Sequence, residues 1–211
     1  MTAPETKMQE TKTHWEQVYA TKQDSEVSWF EPLPQMSLDM LHVEDIAKDA
    51  RILDVGGGSS RLAEALLDRG FTRITVLDIA AAALERSRKR LGERAGKVRW
   101  IVADITRWLP EEQYDAWHDR AVFHFLTDAQ ERAIYRERLA STVVPGGTVV
   151  LATFAPDGPE RCSGLPVLRY SPEELAREMG SAFQLRQSCR LAHETPAKAV
   201  QHFQYSRFCR L

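Results

Sequence analysis

Cysteine is scarce in this chain: 211 residues hold three, Cys162, Cys189 and Cys209, an odd number gathered in the last quarter. No C-x-x-C pair occurs, so neither a disulfide framework nor a structural zinc site is implied, and a reducing, cytoplasmic compartment is expected. Long apolar runs are missing too. None approaches the roughly 18 residues that cross a bilayer, so no membrane partner is expected. The opening M-T-A-P-E-T-K-M-Q-E-T-K has neither the apolar stretch of a secretory signal nor the arginine-rich, acid-poor character of a transit peptide. Charge of one sign is lacking as well: 28 basic and 30 acidic side chains leave a formal net charge of -2. That balance gives no general attraction to phosphate backbones, so nucleic acid is not expected as a partner. There is no internal repeat and no low-complexity segment. What remains is an ordinary globular composition, 43% hydrophobic and 27% charged, at a length that fits one α/β domain. The polar residues 1–12 are expected to be disordered, and 13–211 to form a single domain with an N-terminal cap over 13–48.

Short apolar runs alternate with amphipathic stretches from Arg51 onward. The pattern predicts strands over Arg51–Val55, Ile74–Leu77, Val98–Val102, Ala116–Asp119 and Thr148–Phe154. Helices are predicted over Arg61–Arg69, Ala80–Leu91 and Ala129–Val143, and Pro145-Gly146-Gly147 reads as a turn. This alternation specifies a parallel, doubly wound sheet. The end of the chain departs from it. After a short helix over Pro172–Met179, with Ser171 as its N-cap, come two strands, Phe183–Leu191 and Val200–Leu211. The connection between them is too short for a parallel crossover, so they must pair antiparallel.

The glycine-rich run L53-D-V-G-G-G-S-S-R-L62 lies between the first strand and the first helix. Glycines there allow close approach of the backbone to a ligand, and the helix start offers free N–H groups. Asp78 ends the second strand, 20 residues after Gly58, where an acidic side chain accepts hydrogen bonds from ribose hydroxyls. Asp104, in I-V-A-D-I after the third strand, is in reach of an adenine amino group. Ile79 and Ile105 follow these two carboxylates, and Asp54 precedes the glycines where a methionine ammonium would lie.

These residues resemble the class I S-adenosylmethionine-dependent methyltransferases. Asp54, Gly56, Gly58 and Ser60 fall on the D-x-G-x-G-x-[GS] pattern, V-L-D-I and A-D-I on the next two motifs, and P-G-G on the late one. Gly57 departs from the Cys, Ser or Thr more common there, a change expected to be tolerated. The resemblance covers roughly residues 13–211. It implies an α/β, Rossmann-like, seven-stranded sheet, mostly parallel with a C-terminal antiparallel hairpin. It also implies S-adenosylmethionine as cofactor, with Asp54, Gly56, Gly57, Gly58, Ser60, Asp78, Ile79, Asp104 and Ile105 binding it. A dinucleotide dehydrogenase fits less well, because its third glycine is absent and the chain ends in a hairpin.

The acceptor side is expected at the ends of the fourth and fifth strands. In D115-A-W-H-D-R-A-V-F-H-F-L126, Asp119, Arg120 and His124 are the candidate catalytic residues, with His124 as general base. The competing reading makes Asp119 and Arg120 a structural ion pair and the aromatics core. Residues 155–170 read as a functional loop in which Cys162, Arg161 and Arg169 are candidate contacts. A metal formed by Cys162, His193 and His202 lacks a recognised ligand pattern, and none is expected. H14-W-E-Q-V-Y and W29-F resemble the opening of eukaryotic protein-lysine and thiol or thiopurine methyltransferases. There the opening helps cover the cofactor; here Trp15, Tyr19, Trp29 and Phe30 form either a lid or a packed cap. The D-R-A-V-F-H-F-L and C-S-G-L segments resemble a bacterial group of methyltransferases of unassigned acceptor. The reading is methyl transfer by in-line displacement to a small molecule such as a thiol, amine or carboxylate. Protein lysine is the alternative, and a non-catalytic cofactor-binding protein a third. The oligomeric state is not legible.

Overall fold

The computed structural model describes residues 3–211, with side chains from Gln9 onward. Five parallel strands are built from the apolar runs: β1 (Arg51–Val55), β2 (Arg73–Asp78), β3 (Val98–Val102), β4 (Tyr114–Arg120) and β5 (Val143–Phe154). Two two-residue strands follow, β6 (Arg161–Cys162) and β7 (Leu165–Pro166), and then β8 (Phe183–Glu194) and β9 (Val200–Arg210). The main sheet has seven strands in the order β3-β2-β1-β4-β5-β9-β8. β9 runs antiparallel to β5 and to β8, as the short β8–β9 connection requires. Strand order reverses between β1 and β4, which places the ligand-binding crevice at the carboxyl ends of those strands.

Helices cover both faces. Leu38, Met40 and Leu41 of α2 (Gln35–Leu41) pack on one face with α3 (Leu62–Asp68) and α4 (Ala81–Leu91). On the other face Tyr135 and Leu139 of α5 (Ala129–Thr142) join Leu175 and Met179 of α6 (Pro172–Met179). Ser171 caps α6 in a reciprocal capping box with Glu174.

Two local expectations are revised. The expected turn Pro145-Gly146-Gly147 lies inside β5: pairing passes from Tyr114↔Val143 to Ala116↔Thr148, so the extra residues bulge out, with Gly146 left-handed at φ 80°. Residues 3–12, expected to be disordered, belong to α1 (Ala3–Thr21), whose Ala, Glu, Lys, Met and Gln are strong helix formers; Met1 and Thr2 lie outside the described residues.

The cap is fastened to α4. Ala80 offers no side-chain N-cap, and the free N–H groups of Ala81 and Ala82 donate instead to the Glu16 carboxylate at 2.8 and 3.1 Å. Asp24 pairs with Arg86 and Arg90 at 3.2 and 2.9 Å. Trp15, Tyr19 and Trp29 stack edge-on above the crevice, with Trp15 also against Phe125 at 5.2 Å.

Candidate active site

A cavity of about 710 Å³ opens along the carboxyl ends of β1, β2, β3 and β4. Asp78, Ile79, Asp104 and Ile105 line one end, with Gly56 between that end and Arg120. Arg120, Phe125, Cys162, Gln201 and Phe203 line the other, and Trp15, Tyr19 and Trp29 supply the roof. A recess of about 50 Å³ branches off beside Asp54, Gly57 and Ser60.

The loop after β1 is shaped by what a side chain would strike. At Gly58, φ is +41° and an added Cβ would lie 2.8 Å from Asp78 Oδ2 and 2.9 Å from Tyr19 Oη. At Gly57 it would lie 2.4 Å from Asp54 Oδ2 and 2.6 Å from Val76 Cγ1. A larger residue at 57, such as the Cys, Ser or Thr more common in the family, is incompatible with Asp54 in this pose, so the glycine found here suits the loop. Ser60 faces the recess and its Oγ accepts from Leu62 N–H at 3.0 Å, so it also caps α3. Gly56 N–H donates to Leu77 carbonyl at 2.7 Å, locking the loop to β2.

Asp78 accepts from Ala80 N–H at 2.8 Å through Oδ1. Burial pushes its carboxyl up to about 7, with the Asp54 charge adding to the rise. Hydroxyl donors from a ribose favour the ionised form, so binding of an adenosine ligand should strengthen as pH rises through 7. Between pH 6 and pH 8 the affinity for S-adenosylhomocysteine is expected to rise about tenfold. Calorimetric titrations at the two values check this; equal affinities would contradict it. Asp104 uses Oδ1 to accept from Thr106 N–H and Oγ1, at 2.8 and 2.7 Å, which fixes the turn after β3.

The acceptor-side candidates separate by strand alternation, since successive residues of β4 face opposite ways. Asp119 points toward α5. Fully buried, it accepts from Tyr135 Oη at 2.5 Å, from Val122 N–H at 2.8 Å and from Phe123 N–H at 3.1 Å. Burial raises it to about 6. It holds the sharp turn that leaves β4 through left-handed Ala121 (φ 78°) and does not line the cavity. Neither a catalytic role nor an ion pair with Arg120 fits. His124 is equally far from the chemistry: it is 0% exposed, wedged between Phe125 and Phe154, and burial pushes it down to about 3. A histidine so held is neutral near pH 7 but walled off from the cavity, so it cannot serve as the expected base.

Arg120 stays. It faces the cavity and donates to Tyr205 Oη and to Trp29 carbonyl, each at 3.0 Å. Glu31 lies 3.2 Å from its guanidinium and the Phe203 ring 4.6 Å below it. Cys162 lines the same end, its thiol pushed up to about 11 by burial. Arg161 and Arg169, expected as anion contacts, instead bind their own loop, Arg161 to Gly164 carbonyl and Arg169 to Glu160 at 2.9 Å. Part of that loop is a hairpin, β6–β7, turned at left-handed Ser163 and Gly164. His193 and His202 face opposite ways on β8–β9, His193 toward Ser28 carbonyl at 2.7 Å and His202 toward Asp157 at 2.9 Å. Among the described residues, no group of three His, Cys, Asp or Glu is arranged to hold a metal. No helix of the described residues is long and apolar enough to cross a membrane.

Sequence reasoning passed over His118, Ser37, Glu31 and Tyr205. His118 sits opposite Asp54 in the β1–β4 register and its Nδ1 lies 2.8 Å from Asp54 Oδ1. Alternation along β4 puts His118 and Arg120 on one face and Asp119 on the other, a signal the sequence does carry.

A parallel sheet with an antiparallel last strand, and a glycine loop and two strand-end carboxylates around one cavity, define a class I methyltransferase fold. Residues 52–147 match the family described as a methyltransferase domain. Among curated proteins, an uncharacterized methyltransferase of Mycobacterium bovis is 38% identical over 104 residues, 49% of this chain and 50% of that one. Nodulation protein S of Rhizobium tropici is 29% identical over 104 residues, 49% of this chain and 43% of its own length. The chain thus spans about half the length of the curated relatives it matches. Of solved structures, the 1,6-didemethyltoxoflavin-N1-methyltransferase of Burkholderia thailandensis superposes over 100% of this chain and 91% of its own. Its TM-score is 0.77 at 20% identity, a likeness of fold.

Proposed function

We propose that the chain binds S-adenosylmethionine and transfers its methyl group to a small-molecule acceptor. Adenosine lies at the Asp78–Asp104 end, its ribose on Asp78 and its base between Ile79 and Ile105. The methionine part turns toward Gly56, Ser60 and Asp54. The acceptor enters between Arg120, Cys162, Gln201 and Phe203, under Trp29. One observation carries this reading: a single cavity joins the glycine loop to the Arg120 end. Its size, about 710 Å³, is that of a small-ligand site.

A protein lysine fits that end poorly. Arg120 places a cation there, and its nearest carboxylate, Glu31, is already paired with it at 3.2 Å. The relatives' names point the same way: one solved structure holds 1,6-didemethyltoxoflavin, and an Ilyobacter polytropus relative is a malonyl-[acyl-carrier protein] O-methyltransferase. The residues lining the acceptor end provide position, not a base: Arg120 is a cation, Gln201 is neutral and the Cys162 thiol stays protonated near neutral pH. The acceptor is therefore one that presents a free lone pair or an anion, such as an amine nitrogen or a carboxylate, for in-line attack on the methyl carbon. The electron pair of the broken C–S bond stays on sulfur, giving S-adenosylhomocysteine.

Incubating the chain with methyl-labelled cofactor and a bacterial lysate, then separating by size, tests this. Label in the low-mass fraction is expected; label in protein bands, or none transferred, would contradict it.

A further inference from the structure

Three polar side chains that do not line the large cavity form a buried line beside the small recess. Ser37 of α2, His118 of β4 and Asp54 of β1 are 1%, 3% and 2% exposed. Ser37 Oγ lies 2.9 Å from His118 Nε2, and His118 Nδ1 lies 2.8 Å from Asp54 Oδ1. The tautomer with the ring proton on Nδ1, directed at the carboxylate, lets Nε2 accept from the Ser37 hydroxyl. The imidazole thus fixes Asp54 through one oxygen. The other oxygen, Oδ2, is buried and has no hydrogen-bond partner. It faces the small recess lined by Gly56, Gly57, Ser59, Ser60 and Arg61. Gly57 keeps the space open, since any Cβ there would press on Oδ2 at 2.4 Å. Two cations also line that recess, and each lies beside a carboxylate: Arg61 sits 3.6 Å from Glu64 and Arg120 3.2 Å from Glu31.

A buried, unpaired carboxylate oxygen is costly unless a donor, best a cation, reaches it. We infer that His118, held by Ser37, is a positioning residue that presents Asp54 Oδ2 to the α-ammonium group of the cofactor. This rests on the cofactor assignment above. Strand register makes the device possible: Asp54 and His118 are paired neighbours on β1 and β4, and Ser37 arrives from α2 packed over that face. His118 and Ser37 line the same recess, but both His118 ring nitrogens are committed, Nδ1 to Asp54 and Nε2 to Ser37, so its role is to position Asp54.

The consequence is selective. His118→Asn should weaken ligands that carry the aminocarboxypropyl group and spare those that lack it. S-adenosylhomocysteine and 5′-methylthioadenosine form that pair, since the second keeps adenine, ribose and thioether. In calorimetric titrations at pH 8, His118→Asn is expected to bind S-adenosylhomocysteine about tenfold more weakly, the scale of one charge-assisted hydrogen bond. Affinity for 5′-methylthioadenosine should stay within about twofold of the unmodified chain. Ser37→Ala should move the same ratio in the same direction by less, and it decides the matter if His118→Asn does not fold. In an Asp54→Asn background, His118→Asn should cost nothing further, because the interaction it serves is already gone. Parallel weakening of both ligands, or of neither, would overturn the positioning role while leaving the cofactor site intact. If the unmodified chain binds neither ligand, the cofactor assignment itself falls, and this inference with it.

Discussion

Asp78→Ala is expected to bind S-adenosylhomocysteine roughly 10- to 150-fold more weakly than the unmodified chain. The figure corresponds to about 1.5–3 kcal/mol for hydrogen bonds to a charged acceptor. Asp78 ends β2 with Oδ1 committed to Ala80 N–H, and Oδ2 is the atom nearest a Cβ placed on Gly58. A ribose seated beside that loop therefore meets this carboxylate. Loss of fold should not confuse the result. Because burial raises Asp78 to about 7, its contribution to stability is present at low pH and is lost as pH rises through 7. Removing it at pH 8 takes away a buried carboxylate together with its contacts to the Ala80 and Gly58 backbone. A melting temperature close to that of the unmodified chain is expected beside the lost affinity. Unchanged affinity by calorimetry would remove Asp78 from the site.

Arg120→Leu should act mainly on stability. Its guanidinium is tied to Tyr205, Trp29 and Glu31 and lies over Phe203, with the side chain only 11% exposed. Leucine strands Glu31 beside it, 16% exposed and without its cation. Breaking a buried pair from one side costs about 3–5 kcal/mol, which for a domain of this size lowers the melting temperature on the order of 10 °C. The double replacement Arg120→Leu with Glu31→Leu should recover most of that loss, because no buried charge is then left alone. Scanning calorimetry of both variants checks the account. An unshifted melting point for the single variant, or no recovery in the double, would show that Glu31 and Arg120 are not coupled. Arg120 also joins the cap to the sheet, through Trp29 carbonyl and Glu31, so its loss should loosen the roof over the acceptor end.

The parts of this molecule legible in sequence are those governed by local rules. Glycines before a helix start, carboxylates at strand ends and the short β8–β9 connection each specify their structure within about ten residues. Five parallel strands and the terminal hairpin follow from them, and so do the cavity positions of Gly56, Asp78, Ile79, Asp104 and Ile105. What escaped depends on contacts across the sheet. Glu16 caps a helix that begins 65 residues later, and Asp54 meets His118 across 64 residues. No local pattern announces either. Asp119 and His124 escape for another reason: in D-R-A-V-F-H-F-L the candidates are adjacent in sequence, whereas adjacent strand residues face opposite ways. Asp119 therefore turns inward to Tyr135 and Phe123, while Arg120 turns to the cavity. His124, in the 3-10 turn Phe123–Phe125, packs on Phe154 as an aromatic filler.

The central claim is that the cavity beside β1 and β2 is an S-adenosylmethionine site. Calorimetric titration of the unmodified chain at pH 8 with S-adenosylhomocysteine, and separately with NAD, tests it most directly. Saturable one-to-one binding of S-adenosylhomocysteine and no heat with NAD is the predicted result. Saturable binding of NAD, or no binding of S-adenosylhomocysteine, would contradict it.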